Sequence, residues 1–112
     1  MSAVFERLMA VILDRKARPS DNSYTAILLA GGVEKIGGKV MEEAAEAAAA
    51  AAEPGEAGRA HLVHEAADVL YHLFVLLAAR NVPLADVEAE LARRFGTSGL
   101  EEKASRARRA DG

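Results

Sequence analysis

There is no cysteine in this chain. That excludes a disulfide framework and any zinc site built on thiolates. Tryptophan is missing too, and phenylalanine and tyrosine bring the aromatic share to only 4%. A sequence so short of aromatic and β-branched clusters has little with which to pack a pleated sheet. No run of about eighteen consecutive apolar residues occurs, so a membrane span is not expected. The stretch from Met1 to Leu13 holds Glu6 and Arg7 and no signal-peptide pattern. With the missing cysteine, this makes the cytoplasm the expected compartment. Charge of one sign is lacking as well: 14 basic residues against 17 acidic leave a net charge of −3. Such a balance exerts no global pull toward nucleic acid or anionic lipid, and neither is an expected partner.

What is present favours helices. The 112 residues suit one domain, 1–112, with a modest core. Its apolar positions are mainly Ala, Leu and Val, which pack closely on helices. The expected fold is all-α, a bundle of four to five helices, with order lost from about residue 107.

Five segments read as helices. The first runs from about Ala3 to Lys16, with Val4, Leu8, Val11 and Ile12 as its apolar stripe. Arg18-Pro19-Ser20-Asp21-Asn22 breaks it. A short helix follows near Tyr24 to Ala30, capped by Asn22 or Ser23 and ended by Gly31-Gly32. The third spans about Val33 to Ala52 and places Val33, Ile36, Val40, Ala44, Ala47 and Ala51 on one face. Pro54-Gly55 and Gly58 close it. The fourth spans about Arg59 to Arg80 and is apolar nearly all round beyond Val69, so it is buried on more than one side; in so short a chain this predicts a subunit interface. Pro83 suits a first helical position, and the fifth helix runs from about Leu84 to Phe95. The polar stretch from Leu100 to Arg109 has helical character.

The chemistry concentrates on the third and fourth helices. Residues three or four apart on a helix are neighbours. Glu43 and Glu46 therefore project side by side, with Glu42 on the flank, and Glu65 and Asp68 do the same on the next helix. His61, Glu65, Asp68 and His72 fall on one narrow stripe. A short turn makes the two helices an antiparallel pair, so the two carboxylate pairs can face each other across a groove. Like charges brought together this way raise one another's proton affinity, and hard cations neutralise them. Oxygen-only ligation suits Mg²⁺ or Mn²⁺ rather than Zn²⁺. Because Mg²⁺ accepts phosphate oxygens, a polyphosphate is the natural substrate. One Glu-x-x-Glu alone is usually a solvated face, but Glu65 and Asp68 interrupt an otherwise apolar helix, where unpaired charge is costly. A di-iron site of the ferritin type needs Glu-x-x-His motifs, and no Glu here has His three residues later.

The pattern Glu42-Glu43-x-x-Glu46 followed by Glu65-x-x-Asp68 resembles the all-α nucleoside-triphosphate pyrophosphohydrolase superfamily, the MazG-like fold. Three segments resemble one branch of it, the phosphoribosyl-ATP pyrophosphatases. They are Ser23-Tyr24-Thr25, then Glu65-Ala66-Ala67-Asp68-Val69-Leu70-Tyr71-His72-Leu73, and the ending Ser98-Gly99-Leu100-Glu101-Glu102-Lys103-Ala104-Ser105-Arg106. The resemblance runs from about Phe5 to Arg106. It implies Mg²⁺-dependent hydrolysis of phosphoribosyl-ATP to phosphoribosyl-AMP and pyrophosphate, the second step of histidine biosynthesis, in a homodimer. Some relatives are fused to a cyclohydrolase that ligates zinc through cysteine, so this cysteine-free chain resembles the stand-alone form. It departs from the family pattern at Gly37-Gly38, at Met41 and in the connection Glu53 to Ala60.

On this reading Glu43, Glu46, Glu65 and Asp68 hold the metal. Glu42 either ligates a further Mg²⁺ or activates water. Lys39 and Lys35 share the acidic face and meet substrate phosphates, although Lys39 also has the spacing of an ion pair with Glu43. Ser23, Tyr24 and Thr25 bind phosphate or ribose at a helix N-terminus, or simply cap it. His72 orients Asp68 from behind, or is a core histidine. Lys103 and Arg106 are further candidates for phosphate contact. His61 and His64 read as surface residues, and Tyr71 as core or interface.

Overall fold

A computed structural model describes residues 3–96, 103–104 and 106–109. Of the ending motif, Ser98 to Glu102 and Ser105 lie outside the described residues. All regular structure among the described residues is helical: α1 (Ala3–Ala17), α2 (Tyr24–Gly31), α3 (Val33–Ala51), α4 (Gly55–Ala79) and α5 (Leu84–Arg93). The chain divides after Val82 into two compact units.

The first unit holds α1 to α4. Its framework is the α3–α4 hairpin, two long helices joined by Ala52, Glu53 and Pro54. So short a connection makes them antiparallel neighbours. The fourth helix begins one turn earlier than its periodicity suggested, at Gly55 rather than Arg59. Pro54 stands at the N-cap position with extended backbone, and its fixed φ suits a helix start. The early start depends on Gly58. A Cβ there would lie 2.2 Å from the Glu53 carbonyl oxygen, so only glycine lets the first turn pass beneath the loop.

The other helix ends have identifiable causes. Ser23, not Asn22, caps α2: its Oγ accepts from the Ala26 N–H at 3.1 Å. Gly32, at φ 90°, turns the chain from α2 into α3, a conformation that disfavours any Cβ. Asn81 takes a left-handed φ of 58° after α4. Val82 N–H then donates to Leu77 O at 2.9 Å and Asn81 N–H to Ala78 O at 3.1 Å, the paired bonds that close a helix C-terminus. Lys16 reaches across from α1 and donates to Ala78 O at 2.7 Å and to Asn81 Oδ1 at 2.5 Å.

The core comprises Met9 and Ile12 of α1, Ala26 and Leu28 of α2, Ile36 and Ala50 of α3, and Phe74, Val75 and Ala78 of α4. Two predicted stripes are rotated. On α1 the inward face is Phe5, Met9, Ile12 and Lys16, while Val4 and Val11 are exposed. On α3 the inward face is Ile36, Val40, Glu43, Ala47 and Ala50, with Val33, Ala44 and Ala51 exposed. Glu43 thus occupies a core register.

By length and composition α4 could cross a membrane. Yet Glu65 lies mid-helix, buried, and converges with Glu43 and Glu46 of α3. That is the pattern of a bundle's central helix.

The second unit contains α5. Pro83 is its N-cap, with ψ 147°, rather than its first helical residue, and the helix ends at Arg93, short of Phe95. Glu90 accepts from Arg93 at 2.7 Å and from Arg94 at 3.0 Å. Residues 106–109 are helical, within the stretch where order was expected to fade from about 107.

Candidate active site

Three carboxylates converge where α3 and α4 face each other. Glu43, Glu46 and Glu65 each bring an oxygen within 4.8 Å of the other two. Glu65 belongs to a second group as well, with His64 and Asp68, inside the same limit. The four predicted carboxylates therefore fall into two overlapping triads that share Glu65, with His64 as the fifth member.

Burial sets the electrostatics. Glu65 is only 5% exposed and Glu43 9%, and each has a buried Oε2 with no hydrogen-bond partner. An orphaned carboxylate oxygen inside a bundle is costly. Hydrogen bonding with Glu46, burial, and the neighbouring Glu43 push the Glu65 carboxyl up to about 7. Both features suit a cluster built to hold a cation: more carboxylate oxygens brought together than the surrounding groups satisfy. The donors fit a hard divalent ion, which favours carboxylate oxygen.

Glu42 stands apart from both triads. Its carboxylate is half exposed and lies 3.4 Å from Lys39 Nζ. Lys39 therefore pairs with Glu42 rather than with Glu43, and that neighbour is the main cause of its raised pKa. Lys35 is exposed on the same helix.

The Ser23-Tyr24-Thr25 segment is largely committed to structure. Ser23 Oγ is occupied as the α2 cap. Thr25 is buried and its hydroxyl hydrogen-bonds to that of Tyr71. Tyr24 alone is half exposed. Its ring stacks on Tyr71 at 6.2 Å, and its hydroxyl lies 3.2 Å from His72 Nε2.

His72 touches Asp68 through the backbone, not through the carboxylate. Its Nδ1 lies 2.9 Å from the Asp68 carbonyl oxygen, which can only accept, so Nδ1 carries the proton. In the neutral ring Nε2 then accepts from the Tyr24 hydroxyl. The ring links α4 to α2 behind the carboxylates.

Two histidines read as surface residues border the site. His61 Nδ1 lies 3.0 Å from both Glu53 oxygens, which raises its pKa, and its Nε2 is 3.7 Å from Glu65 Oε1. His64 Nε2 is 3.3 Å from Asp68 Oδ2 and 3.9 Å from Glu65 Oε1. The four-residue spacing of His64 and Asp68 was the available signal. Lys103 and Arg106 are exposed residues of the second unit.

Residues 5–95 match the family described as phosphoribosyl-ATP pyrophosphohydrolase. This chain belongs to that family. Among phosphoribosyl-ATP pyrophosphatases, that of Rhodopirellula baltica is 53% identical over 106 residues, covering 95% of this chain and 88% of its own length. Those of Cereibacter sphaeroides and Dinoroseobacter shibae are each 56% identical over 104 residues, covering 93% of this chain and 98% and 99% of their own lengths. All the candidate ligands and both α3 lysines fall within the span matched to the pyrophosphohydrolase family, whereas Lys103 and Arg106 fall beyond it.

Proposed function

We propose that this chain is a Mg²⁺-dependent enzyme that hydrolyses phosphoribosyl-ATP to phosphoribosyl-AMP and pyrophosphate, the second step of histidine biosynthesis. The observation that carries the reading is the buried Glu43–Glu65 pair, each with an unpartnered oxygen, in a member of this family. Neutral hydrolysis of a phosphoric anhydride needs positive charge beside the phosphates, and the converging carboxylates supply negative charge that the flanking lysines do not neutralise. A divalent cation reconciles the two.

Glu43, Glu46, Glu65 and Asp68 hold Mg²⁺, with Mn²⁺ as a substitute. What the cation supplies is neutralisation of phosphate charge and acidification of water. Glu42, exposed and outside both triads, takes the proton of the attacking water. Lys39 and Lys35 offset the charge of the polyphosphate, and the half-exposed Tyr24 ring borders the nucleotide. His72 fixes the Tyr24 hydroxyl and the Asp68 backbone. Lys103 and Arg106 add phosphate contacts. We place the activity in the cytoplasm and in a homodimer.

The test is pyrophosphate release from phosphoribosyl-ATP, ATP and dUTP, with and without Mg²⁺. Cation-dependent release from phosphoribosyl-ATP above the other two is the expected result. Preference for a plain nucleotide would move the substrate while keeping the site. Glu46→Ala and Asp68→Ala should each lose about a hundredfold or more in kcat with helicity unchanged. Wild-type turnover in either would overturn the ligand assignment.

A further inference from the structure

Tyr24 and Tyr71 are the only tyrosines in the chain, and they meet in one cluster whose third ring is His72. The two tyrosine rings stack with centroids 6.2 Å apart and planes 19° from parallel. His72 meets both edge-on, at 6.0 Å from Tyr24 and 5.0 Å from Tyr71. Offset and edge contacts of this kind are the favoured aromatic geometries. The cluster borders the carboxylate groove on two sides. His72 holds the Asp68 carbonyl oxygen, and Tyr24 lies near enough to Lys39 to contribute to its raised pKa.

The Tyr24 hydroxyl donates to His72 Nε2 at 3.2 Å. It has no second proton for a phosphate or ribose oxygen, and its lone pairs repel a phosphate. Half of Tyr24 is nevertheless exposed. Tyr71 backs one face of the ring, so the far face is what solvent meets. An aromatic face carries partial negative charge, which disfavours phosphate, whereas a nucleobase stacks on it. Tyr71 grips the same turn of α2 a second time. Its hydroxyl bonds to that of buried Thr25, the residue after Tyr24.

We propose that the far face of Tyr24 stacks on the purine base of the substrate, and that Tyr71 is the positioning residue that holds this ring at the groove's edge. The inference rests on the nucleotide-hydrolysing reading above and adds base recognition to it. The α3 and α4 side chains take the phosphates, and the first turn of α2 takes the base. Tyr71 touches no substrate and acts through Tyr24.

Steady-state hydrolysis of phosphoribosyl-ATP by the full chain with Mg²⁺ tests both parts. Tyr24→Leu should raise KM roughly tenfold, with kcat changed less than about threefold. Tyr24→Phe keeps the face and loses the hydroxyl, so its KM should stay within about threefold of wild type. Tyr71→Leu should raise KM nearly as far as Tyr24→Leu does. Tyr71→Phe, which keeps the packing volume, should raise it about threefold. Neither Tyr71 change should add to Tyr24→Leu, because Tyr71 works only through that ring. Both Tyr71 variants leave Tyr24 as the sole tyrosine. Its emission anisotropy without nucleotide should be lower in Tyr71→Leu than in Tyr71→Phe, as the ring loosens. Wild-type KM in Tyr24→Leu, or a Tyr24→Phe as poor as Tyr24→Leu, would overturn the stacking role. Losses at Tyr71 that persist in full without Tyr24, or no loss from either Tyr71 variant, would overturn the positioning role. Those outcomes leave the enzymatic reading standing, whereas a wild-type chain that does not cleave phosphoribosyl-ATP would overturn both.

Discussion

Burying Glu65 and Glu43 beside the exposed Glu46 opposes three carboxylates, two of them poorly solvated, and the fold carries that conflict whenever no cation is present. Glu65→Gln keeps the shape, removes one charge and supplies an N–H to the neighbouring oxygens. Removing a buried like charge stabilises, so the variant should melt higher than wild type in chelator and should lose the rise in melting temperature that Mg²⁺ gives wild type. An unchanged response to Mg²⁺ would contradict Glu65 as a ligand. The same residue fixes a pH dependence. The carboxyl is raised from its ordinary value of 4.5 to about 7, so between those values the native state holds a proton that the unfolded chain has released. Unfolding then takes up no proton and loses one, and stability falls as pH rises through this window. The melting temperature in chelator should therefore decline from about pH 4.5 to 7 relative to Glu65→Gln, and saturating Mg²⁺, which displaces the proton, should flatten the decline.

Two glycines on the α3–α4 hairpin have opposite reasons to be there. A Cβ at Gly38 would meet nothing within 4 Å, whereas one at Gly58 would strike the Glu53 carbonyl. Gly38→Ala should raise stability by about 1 kcal/mol through helix propensity alone. Gly58→Ala should lower it, because backbone must move. Denaturant melts of the two variants check both signs. The five helical segments could be read from the sequence because apolar spacing and turn residues agree there. Their faces were harder. Val4 and Val11 on α1, or Ala44 and Ala51 on α3, are as apolar as the residues that turn inward, and apolar character alone cannot choose between two sides of one helix. Glu43 resists such reading most, since a core register held by a carboxylate makes sense only with the site assembled. The carboxylate pairs themselves were legible from three-residue spacing on consecutive helices. His64 was legible only through its four-residue spacing to Asp68, because its ring is 70% exposed and reads as surface.

At the scale of the molecule, the first unit leaves an apolar surface with no covering helix of its own. Around α4, Glu65, Asp68, His72 and Val75 lie on the arc that turns inward, and Leu62, Ala66, Val69 and Leu73 form a stripe roughly 110° round the helix from it. Leu62 and Leu73 are each more than a third exposed, and Val63 beside them is 62% exposed. A chain of 112 residues buries a limited share of its surface alone, and one continuous apolar stripe running along its central helix is what a two-fold, self-complementary interface uses. Sedimentation of the wild-type chain should therefore give about twice the 11.8 kDa of one chain. Leu73→Lys places a charge at the middle of the stripe, on the side away from the carboxylates, and should shift the chain toward monomer at micromolar concentration with its helicity kept. If the dimer persists in that variant, the contact runs along another face, of which the exposed Val4–Val11 side of α1 is the next to test. If the monomer retains Mg²⁺ binding but loses turnover, the partner contributes to the site across the interface.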